Sequence, residues 1–315
     1  MLLTALLFIL GIALTVVGAD LLVNGATGVA KRYRVSEFVI GVVIVGIGTS
    51  MPELSVSLIG ALKGSSGIAI GNVTGSNLFN TLLILGVTAL ISPVCYTRSN
   101  VRRDIPCNIA ASLLLLFFAV NFWIGSGVKA ISWIEGLVFL ACFVFYVKDT
   151  FKHGEVVEES DEDSASKSIW LLALMILAGI GMLVLGGKLF VDQGCTIARE
   201  LGVSETVIAI TLMACGTSLP ELATCVVAAA KHRNQLALGN IIGSNVFNIL
   251  LILGCCSLVR PLEVDQVSLF SLYALPVVAL LLLLTAFVLK KDKLCRAEGA
   301  IFVLLYVAYV IYTVA

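Results

Sequence analysis

The sequence predicts an all-α membrane protein of ten transmembrane helices, built as two inverted five-helix repeats with broken helices at the motif regions. Three observations carry this prediction. Apolar residues make up 59% of the 315 residues, only 13% are charged, and the mean hydropathy is +1.07. Apolar runs of membrane-spanning length recur along the chain. Residues 46–80 and 214–248 are copies of each other that align without a gap at an offset of 168.

The composition also limits the partners that the protein can have. Soluble chains carry close to twice this fraction of charged residues, so the expected surroundings are a lipid bilayer. The formal net charge is zero, which argues against a nucleic-acid partner. The first twenty residues lack the basic segment of a signal peptide and are predicted to form a retained first span.

The repeat divides the chain into two halves of five spans each. The first half is 1–150, with its motif at 46–80, and the second is 169–315, with its motif at 214–248. Between them, 151–168 form an acidic linker that is poor in apolar residues. The ten candidate spans are 2–24, 36–62, 67–91, 106–124, 131–148, 169–190, 204–230, 235–258, 267–289 and 297–314. An odd number of spans in each half inverts the second copy, which places the expected site at the midplane interface.

The basic residues indicate the orientation in the membrane. If the linker is cytoplasmic, most of the 20 Lys and Arg residues fall on the cytoplasmic side. Both termini are then predicted to lie outside.

The sequence GTSMPE begins the chemistry of the first motif, and GTSLPE begins that of the second. Pro52 has no N–H and clashes with the preceding turn, so we expect the helix to break near Gly48–Thr49. Freed carbonyls are tolerated in a membrane only where they line a cavity or bind a ligand. Glu53 follows the break, and Glu221 is its counterpart in the second half. A charged side chain at mid-bilayer costs about 3 kcal/mol on insertion scales, so these two acids need a function or a partner.

A bound cation would satisfy both carboxylates at once. Carboxylates, freed carbonyls, amide oxygens and hydroxyls are hard oxygen ligands that suit Ca²⁺ and Na⁺ rather than zinc or copper. The hydroxyls in question belong to Thr49, Ser50, Thr217 and Ser218. The alternative is that each glutamate is structural and is satisfied by a neighbouring helix.

The second part of each motif reads GNVTGSNLFN and GNIIGSNVFN. Its G-x-x-x-G pairs, Gly71 with Gly75 and Gly239 with Gly243, predict close helix packing. Four-residue spacing places one set of polar side chains on one face of each helix, and that face must look inward. The set is Asn72, Ser76 and Asn80 in the first half and Asn240, Ser244 and Asn248 in the second. Simple interhelical hydrogen bonding remains the alternative for the asparagines.

These motifs resemble the two alpha-repeats of the cation/calcium exchanger superfamily, most closely the prokaryotic sodium/calcium exchangers of the ten-helix type. The resemblance covers both motif regions and the ten-span layout. It implies that Glu53 and Glu221 are the central ligands, shared by Ca²⁺ and Na⁺, with the backbone carbonyls of Thr49 and Thr217 completing the calcium site. It assigns the flanking sodium sites to Ser50, Ser76, Ser218 and Ser244 with the carbonyls of Gly46 and Ala214, and the central position to Asn80 and Asn248.

The sequence departs from some members of this superfamily at Asn248, where some prokaryotic relatives carry Asp. Potassium-dependent relatives also use Asp in this region. Two carboxylates balance one Ca²⁺ or about two Na⁺, so potassium is not expected to be required. No cofactor is expected, and a monomer or weak homodimer in the prokaryotic inner membrane is the expected assembly.

The resemblance implies a secondary transporter that exchanges Na⁺ for Ca²⁺ by alternating access, rather than an enzyme. The family layout that the resemblance implies makes the first and sixth spans, which lack the ligand motif, candidates for a sliding gate. A proton/calcium antiporter could use the same glutamates and remains open. A passive channel and an intramembrane hydrolase with paired acids are further alternatives, although the Asp motifs of the latter are not found.

Overall fold

The structure is a computed structural model that describes residues 2–120, 130–153, 167–202, 216–264, 266–287 and 293–314. Helices form most of these residues, which confirms the predicted helical class. The described helices are α1 (Leu2–Tyr33), α2 (Glu37–Thr49), α3 (Met51–Leu62), α4 (Ser66–Ile91), α5 (Ile105–Ala119), α6 (Trp133–His153), α7 (Ile169–Glu200), α8 (Leu219–Ala230), α9 (Asn234–Val259), α10 (Gln266–Phe287) and α11 (Arg296–Val314).

Among the described residues, six helices are long and apolar enough to cross a membrane, and the bent pair of α2 and α3 makes up to seven. The predicted spans agree closely with the ends of α4 and α9, whereas α1 continues for nine residues and α7 for ten beyond their predicted ends of 24 and 190. The first part of the predicted span 204–230 lies outside the described residues. The ten-span inverted layout therefore stays a prediction.

The two motif helices lie at the centre of the molecule. Within their apolar windows, 72% of the residues of α4 and 83% of those of α9 are buried, against 17% for α1. Both helices widen into π-helical turns that begin at the end of the motif, at Phe79–Ile84 in α4 and at Asn248–Leu253 in α9. A π-helical segment, Gly41–Gly46, also lies in α2, and short segments of this kind often mark functional sites.

The break in the second span lies at Ser50, slightly later than the predicted Gly48–Thr49. Ser50 has φ −84° and ψ 9°, and the axes of α2 and α3 differ by 47°. Pro52 stands in the first turn of α3, where its missing N–H costs least. In the second half, Pro220 and the non-helical Ser218 stand in the same relation to α8.

Glycines bring α1 and α7 into backbone contact. Gly11, Gly18 and Gly25 recur every seven residues along one face of α1. A Cβ placed on Gly18 would lie 2.9 Å from the carbonyl oxygen of Gly179. A Cβ placed on Gly11 would lie 3.0 Å from the carbonyl oxygen of Gly186. Only glycine permits this separation along most of the interface, so the two long helices form a closely packed pair.

The G-x-x-x-G prediction is met in the second half, where α9 crosses α2. A Cβ on Gly243 would lie 2.6 Å from the Cα atom of Val42, and one on Gly41 would lie 2.5 Å from the carbonyl oxygen of Leu236. The residues that would pack on Gly71 and Gly75 by the same offset fall within 203–215, outside the described residues, so that half stays a prediction.

Short strands and ion pairs join the two halves at their ends. Strand β1 (Val94–Cys95) pairs with β4 (Lys293–Leu294), and β2 (Ala130–Ile131) pairs with β3 (Leu262–Glu263), both antiparallel. Lys231 follows α8, and its Nζ atom lies 2.6 Å from Oδ1 of Asp20 and 2.7 Å from Oδ1 of Asn24 in α1. The contacts of Lys231 connect α1 to α8, the helix that carries Glu221.

Candidate functional site

The structure brings Glu53 and Glu221 to one buried site between the two halves. Each carboxylate is bonded to the serine three residues before the other: Ser50 donates to Oε1 of Glu221 and Ser218 donates to Oε1 of Glu53, both at 2.9 Å. Each glutamate is only 1% exposed. This crossed pairing follows from the repeat, because both acids stand in the first turn of a helix, next to Pro52 or Pro220.

Hydroxyl groups continue the site beyond the carboxylates. Ser76 in α4 donates to Oε1 of Glu53 at 3.4 Å, and its Oγ atom lies 3.0 Å from that of Ser218. On the other side, Ser244 in α9 donates to the carbonyl oxygen of Gly46 at 3.3 Å. These predicted site residues therefore lie together. Ala214, the predicted counterpart of Gly46, lies outside the described residues.

The two motif threonines reach across to the asparagines of the opposite half. Thr49 Oγ1 lies 3.3 Å from Oδ1 of Asn240, and Thr217 Oγ1 lies 3.4 Å from Oδ1 of Asn72. Asn72 in turn donates to Ser57 Oγ at 2.9 Å. Asn72 and Asn240 thus connect the helix breaks to α4 and α9.

Asn80 and Asn248 each donate through their amide nitrogen to another asparagine of the opposite half. Asn80 Nδ2 donates to Oδ1 of Asn245 at 3.2 Å, and Asn248 Nδ2 donates to Oδ1 of Asn77 at 3.0 Å. The sequence reasoning missed Asn77 and Asn245. Their signal was available, since both stand in the repeated G-S-N-x-x-N pattern at the offset of 168.

Four buried oxygen atoms at this site have no hydrogen-bond partner within the described part of the chain. They are Oε2 of Glu53, Oε2 of Glu221, Oδ1 of Asn80 and Oδ1 of Asn248. A buried oxygen without a partner costs about 1–3 kcal/mol, and more if it is charged. A dehydrated cation would compensate this cost, and carboxylate and amide oxygens are the ligands that hard cations prefer.

The charge of the site is limited to these two carboxylates. Across the described residues, no three His, Cys, Asp or Glu side chains converge to hold a metal ion. Two carboxylates, two amide oxygens and several hydroxyls fit Ca²⁺ or Na⁺ and lack the nitrogen and sulfur ligands of a transition-metal site.

A helical membrane protein with paired acids and orphaned oxygens at its centre has the features of a cation transporter. The chain matches the family described as "Sodium/calcium exchanger protein" over residues 3–148 and 171–315. It belongs to this family, and thereby to the cation/calcium exchanger superfamily. The protein is accordingly an integral membrane transporter of the cation/Ca²⁺ exchange class.

Individual relatives cover almost the full length of the chain. The sodium/calcium exchanger MaX1 of Methanosarcina acetivorans is 36% identical over 97% of both chains. The putative antiporter CaxA of Alkalimonas amylolytica is 33% identical over 98% of both. A solved structure of the sodium-calcium exchanger NCX_Mj, soaked with 10 mM Na⁺ and zero Ca²⁺, superimposes with a TM-score of 0.85 at 33% identity and covers 98% of each chain.

Proposed function

We propose that the protein exchanges Na⁺ for Ca²⁺ across the prokaryotic plasma membrane by alternating access, at one site built on Glu53 and Glu221. The observation that carries the proposal is the group of four unpartnered oxygens. Each of the two glutamates and each of the two asparagines contributes one of these oxygens, and the residues stand at matching positions in the two halves. The names of the relatives MaX1 and NCX_Mj support sodium as the coupling ion.

The site residues take different roles in this proposal. Glu53 and Glu221 bind Ca²⁺ or Na⁺ as central ligands, with the backbone carbonyls of Thr49 and Thr217. Asn80 and Asn248 occupy the position between them. The flanking sodium sites use the hydroxyls of Ser50, Ser76, Ser218 and Ser244 and the carbonyls of Gly46 and Ala214.

Competition for the same two carboxylates couples the two ions. Two negative charges balance one Ca²⁺ or about two Na⁺, so the site holds one ion type at a time. The proposed frame has two inverted halves, 1–150 and 169–315, joined by a cytoplasmic linker at 151–168, with both termini outside. A monomer or weak homodimer suffices, since both halves of the site come from one chain.

Isotopic calcium flux in proteoliposomes tests this function. Vesicles loaded with Na⁺ and diluted into sodium-free buffer should accumulate ⁴⁵Ca²⁺, and an imposed potassium gradient should make no difference. Accumulation that follows an imposed proton gradient and ignores sodium would replace the proposal with proton/calcium antiport. Calcium flux driven by voltage alone, with no counter-ion, would indicate a channel.

Asn248→Asp should make calcium transport depend more strongly on pH. The substitution adds a third carboxylate at the proposed central position, and protons compete with Ca²⁺ for that carboxylate. The half-saturating Ca²⁺ concentration of the variant should therefore fall as the pH rises from 5.5 to 8 by a larger factor than in the parent chain. Initial rates of sodium-driven ⁴⁵Ca²⁺ uptake at several pH values measure this factor. An unchanged pH profile would count against Asn248 facing the ions.

A further inference from the structure

An asparagine can serve a cation site only in one of its two orientations. Its amide ends in an oxygen, which accepts, and an NH₂ group of nearly the same shape, which donates. A half-turn of the Asn248 amide would replace the ligand oxygen by an NH₂ group whose hydrogens repel a cation. Something in the fold must therefore determine which way the amide lies.

Asn77 in α4 provides a fixed reference for this choice. Its Nδ2 atom lies 3.0 Å from the backbone carbonyl oxygen of Asn245. A carbonyl can only accept, so Nδ2 must be the atom on that side, and Oδ1 of Asn77 must be on the other. That Oδ1 atom lies 3.0 Å from Nδ2 of Asn248.

The orientation of Asn248 follows from the same sequence of bonds. Because Oδ1 of Asn77 can only accept, Asn248 must present its NH₂ group to it. Oδ1 of Asn248 then points the other way, where it is buried and unpartnered. Asn248 is 0% and Asn77 2% exposed, so bulk solvent does not reach either residue in this conformation.

We propose that Asn77 is a positioning residue for ion exchange: it holds the Asn248 amide so that its oxygen, and not its NH₂ group, faces the transported ions. The proposal deepens the proposed function and rests on it. Asn77 does not touch the ions in this arrangement and acts only through Asn248.

The matching contact in the other half is less firmly fixed. Asn80 donates to Oδ1 of Asn245 at 3.2 Å, and Asn245 Nδ2 lies 2.8 Å from Thr81 Oγ1. The Thr81 hydroxyl can donate or accept, so both hydrogen bonds of the Asn245 amide can reverse their direction. The hydrogen bonds of Asn77 cannot reverse, because one of them ends on a backbone carbonyl, which only accepts. Loss of the amide at Asn77 should therefore impair calcium binding more than loss of the amide at Asn245.

A double-variant comparison separates positioning from simple helix packing. Asn77→Leu removes the acceptor, so the Asn248 amide can turn. Loss of such an outer partner typically weakens metal binding by about 10–100-fold, and we expect the half-saturating Ca²⁺ concentration to rise by at least about tenfold. In an Asn248→Asp background, either arm of the carboxylate presents an oxygen, and the arm that faces Oδ1 of Asn77 meets another acceptor, so Asn77→Leu should not raise that concentration.

The outcomes are distinct in ⁴⁵Ca²⁺ uptake, with the maximal rate recorded separately. An equal rise in both backgrounds would show that Asn77 merely joins α4 to α9 and would overturn the proposal. No rise in the parent background would overturn it as well. Asn77→Ala, which cannot overpack the helices, is the second variant and should give the same pattern.

Calcium-dependent thermal stabilisation of the detergent-solubilised protein provides a readout that does not need transport. The Ca²⁺ concentration that gives half of this stabilisation should rise with Asn77→Leu in the parent background and not in the Asn248→Asp background, even in variants that are folded but transport slowly. Loss of calcium binding in Asn248→Asp alone would overturn the proposal, because an ion-facing position must accept a carboxylate. Coupling to protons instead of sodium in the parent would refute the proposed function while leaving this comparison of calcium binding intact.

Discussion

Replacing either buried glutamate, in Glu53→Ala or Glu221→Ala, should abolish sodium-driven calcium uptake. Each substitution removes half of the negative charge of the proposed site together with one of its unpartnered oxygens. Loss of a group that only supports a metal ligand already lowers metal affinity or activity by about 10–100-fold. Because the glutamates are proposed as direct ligands, we expect uptake to fall by more than about 100-fold. Initial rates of ⁴⁵Ca²⁺ uptake in proteoliposomes measure the effect.

Glu53→Gln separates loss of the ligand from loss of the fold. It keeps the shape of the side chain and removes a buried charge, so the ion-free protein should be at least as stable as the parent. Saturating Ca²⁺ should raise the melting temperature of the parent, since binding at 100 times Kd contributes about 2.7 kcal/mol, and should leave that of the variant unchanged. Glu263→Gln, at an exposed glutamate in β3, is the control and should behave as the parent. Near-normal uptake by Glu53→Ala or Glu221→Ala would reject the assignment.

Gly18→Leu should destabilise the protein and slow exchange, because α1 and α7 touch through their backbones at this point. A Cβ at Gly18 meets the carbonyl oxygen of Gly179, the backbone nitrogen of Leu183 and Cβ of Met182, all at 2.9 Å. Backbone atoms cannot turn aside as side chains do, so the helices must separate. Overpacking of this kind costs about 1–3 kcal/mol. Thermal unfolding in detergent and the ⁴⁵Ca²⁺ uptake rate measure the two effects.

Gly181→Leu is the matched control for this substitution. Gly181 lies in the same helix as Gly179, and a Cβ there would have no neighbouring atom within 4 Å among the described residues. The same change in size should therefore leave the melting temperature within about 2 °C of the parent, as expected for a change of less than about 0.5 kcal/mol. Equal losses at Gly18 and Gly181 would show that the contact between α1 and α7 is not the cause.

The repeat in the sequence predicted that the two glutamates and their neighbouring serines would meet at the centre, but it did not single out Asn77 and Asn245. A carboxylate, a proline and an asparagine repeated at one offset are costly in a membrane unless they share a site, and Glu53, Glu221, Ser50 and Ser218 do lie together. The helical membrane class followed from the composition and from the length of the apolar runs. The helix break was predicted slightly too early, because Pro52 is accommodated in the first turn of α3 and the chain departs from the helix at Ser50.

Other features depend on atoms that a sequence pattern does not specify. The seven-residue glycine spacing in α1 indicates a packing face, but its partner α7 is far away in the chain. Likewise, the sequence pattern does not distinguish Asn77 and Asn245 from the other polar residues of the motif. Their importance comes from which atom of each amide meets a carbonyl, and that depends on the relative placement of α4 and α9.

The contact of Lys231 with Asp20 and Asn24 bears on how easily α1 can slide. Lys231 and Asp20 are 33% and 48% exposed, so their attraction contributes only about 0–1 kcal/mol and weakens as salt increases. At the offset of 168, Lys63 and Asp192 occupy the places of Lys231 and Asn24, but Lys188 occupies that of Asp20, so the ion pair is not repeated in the second half. In the proposed alternating access, parting Lys231 from α1 would cost only about 0–1 kcal/mol. This contact is therefore too weak to hold α1 in one position.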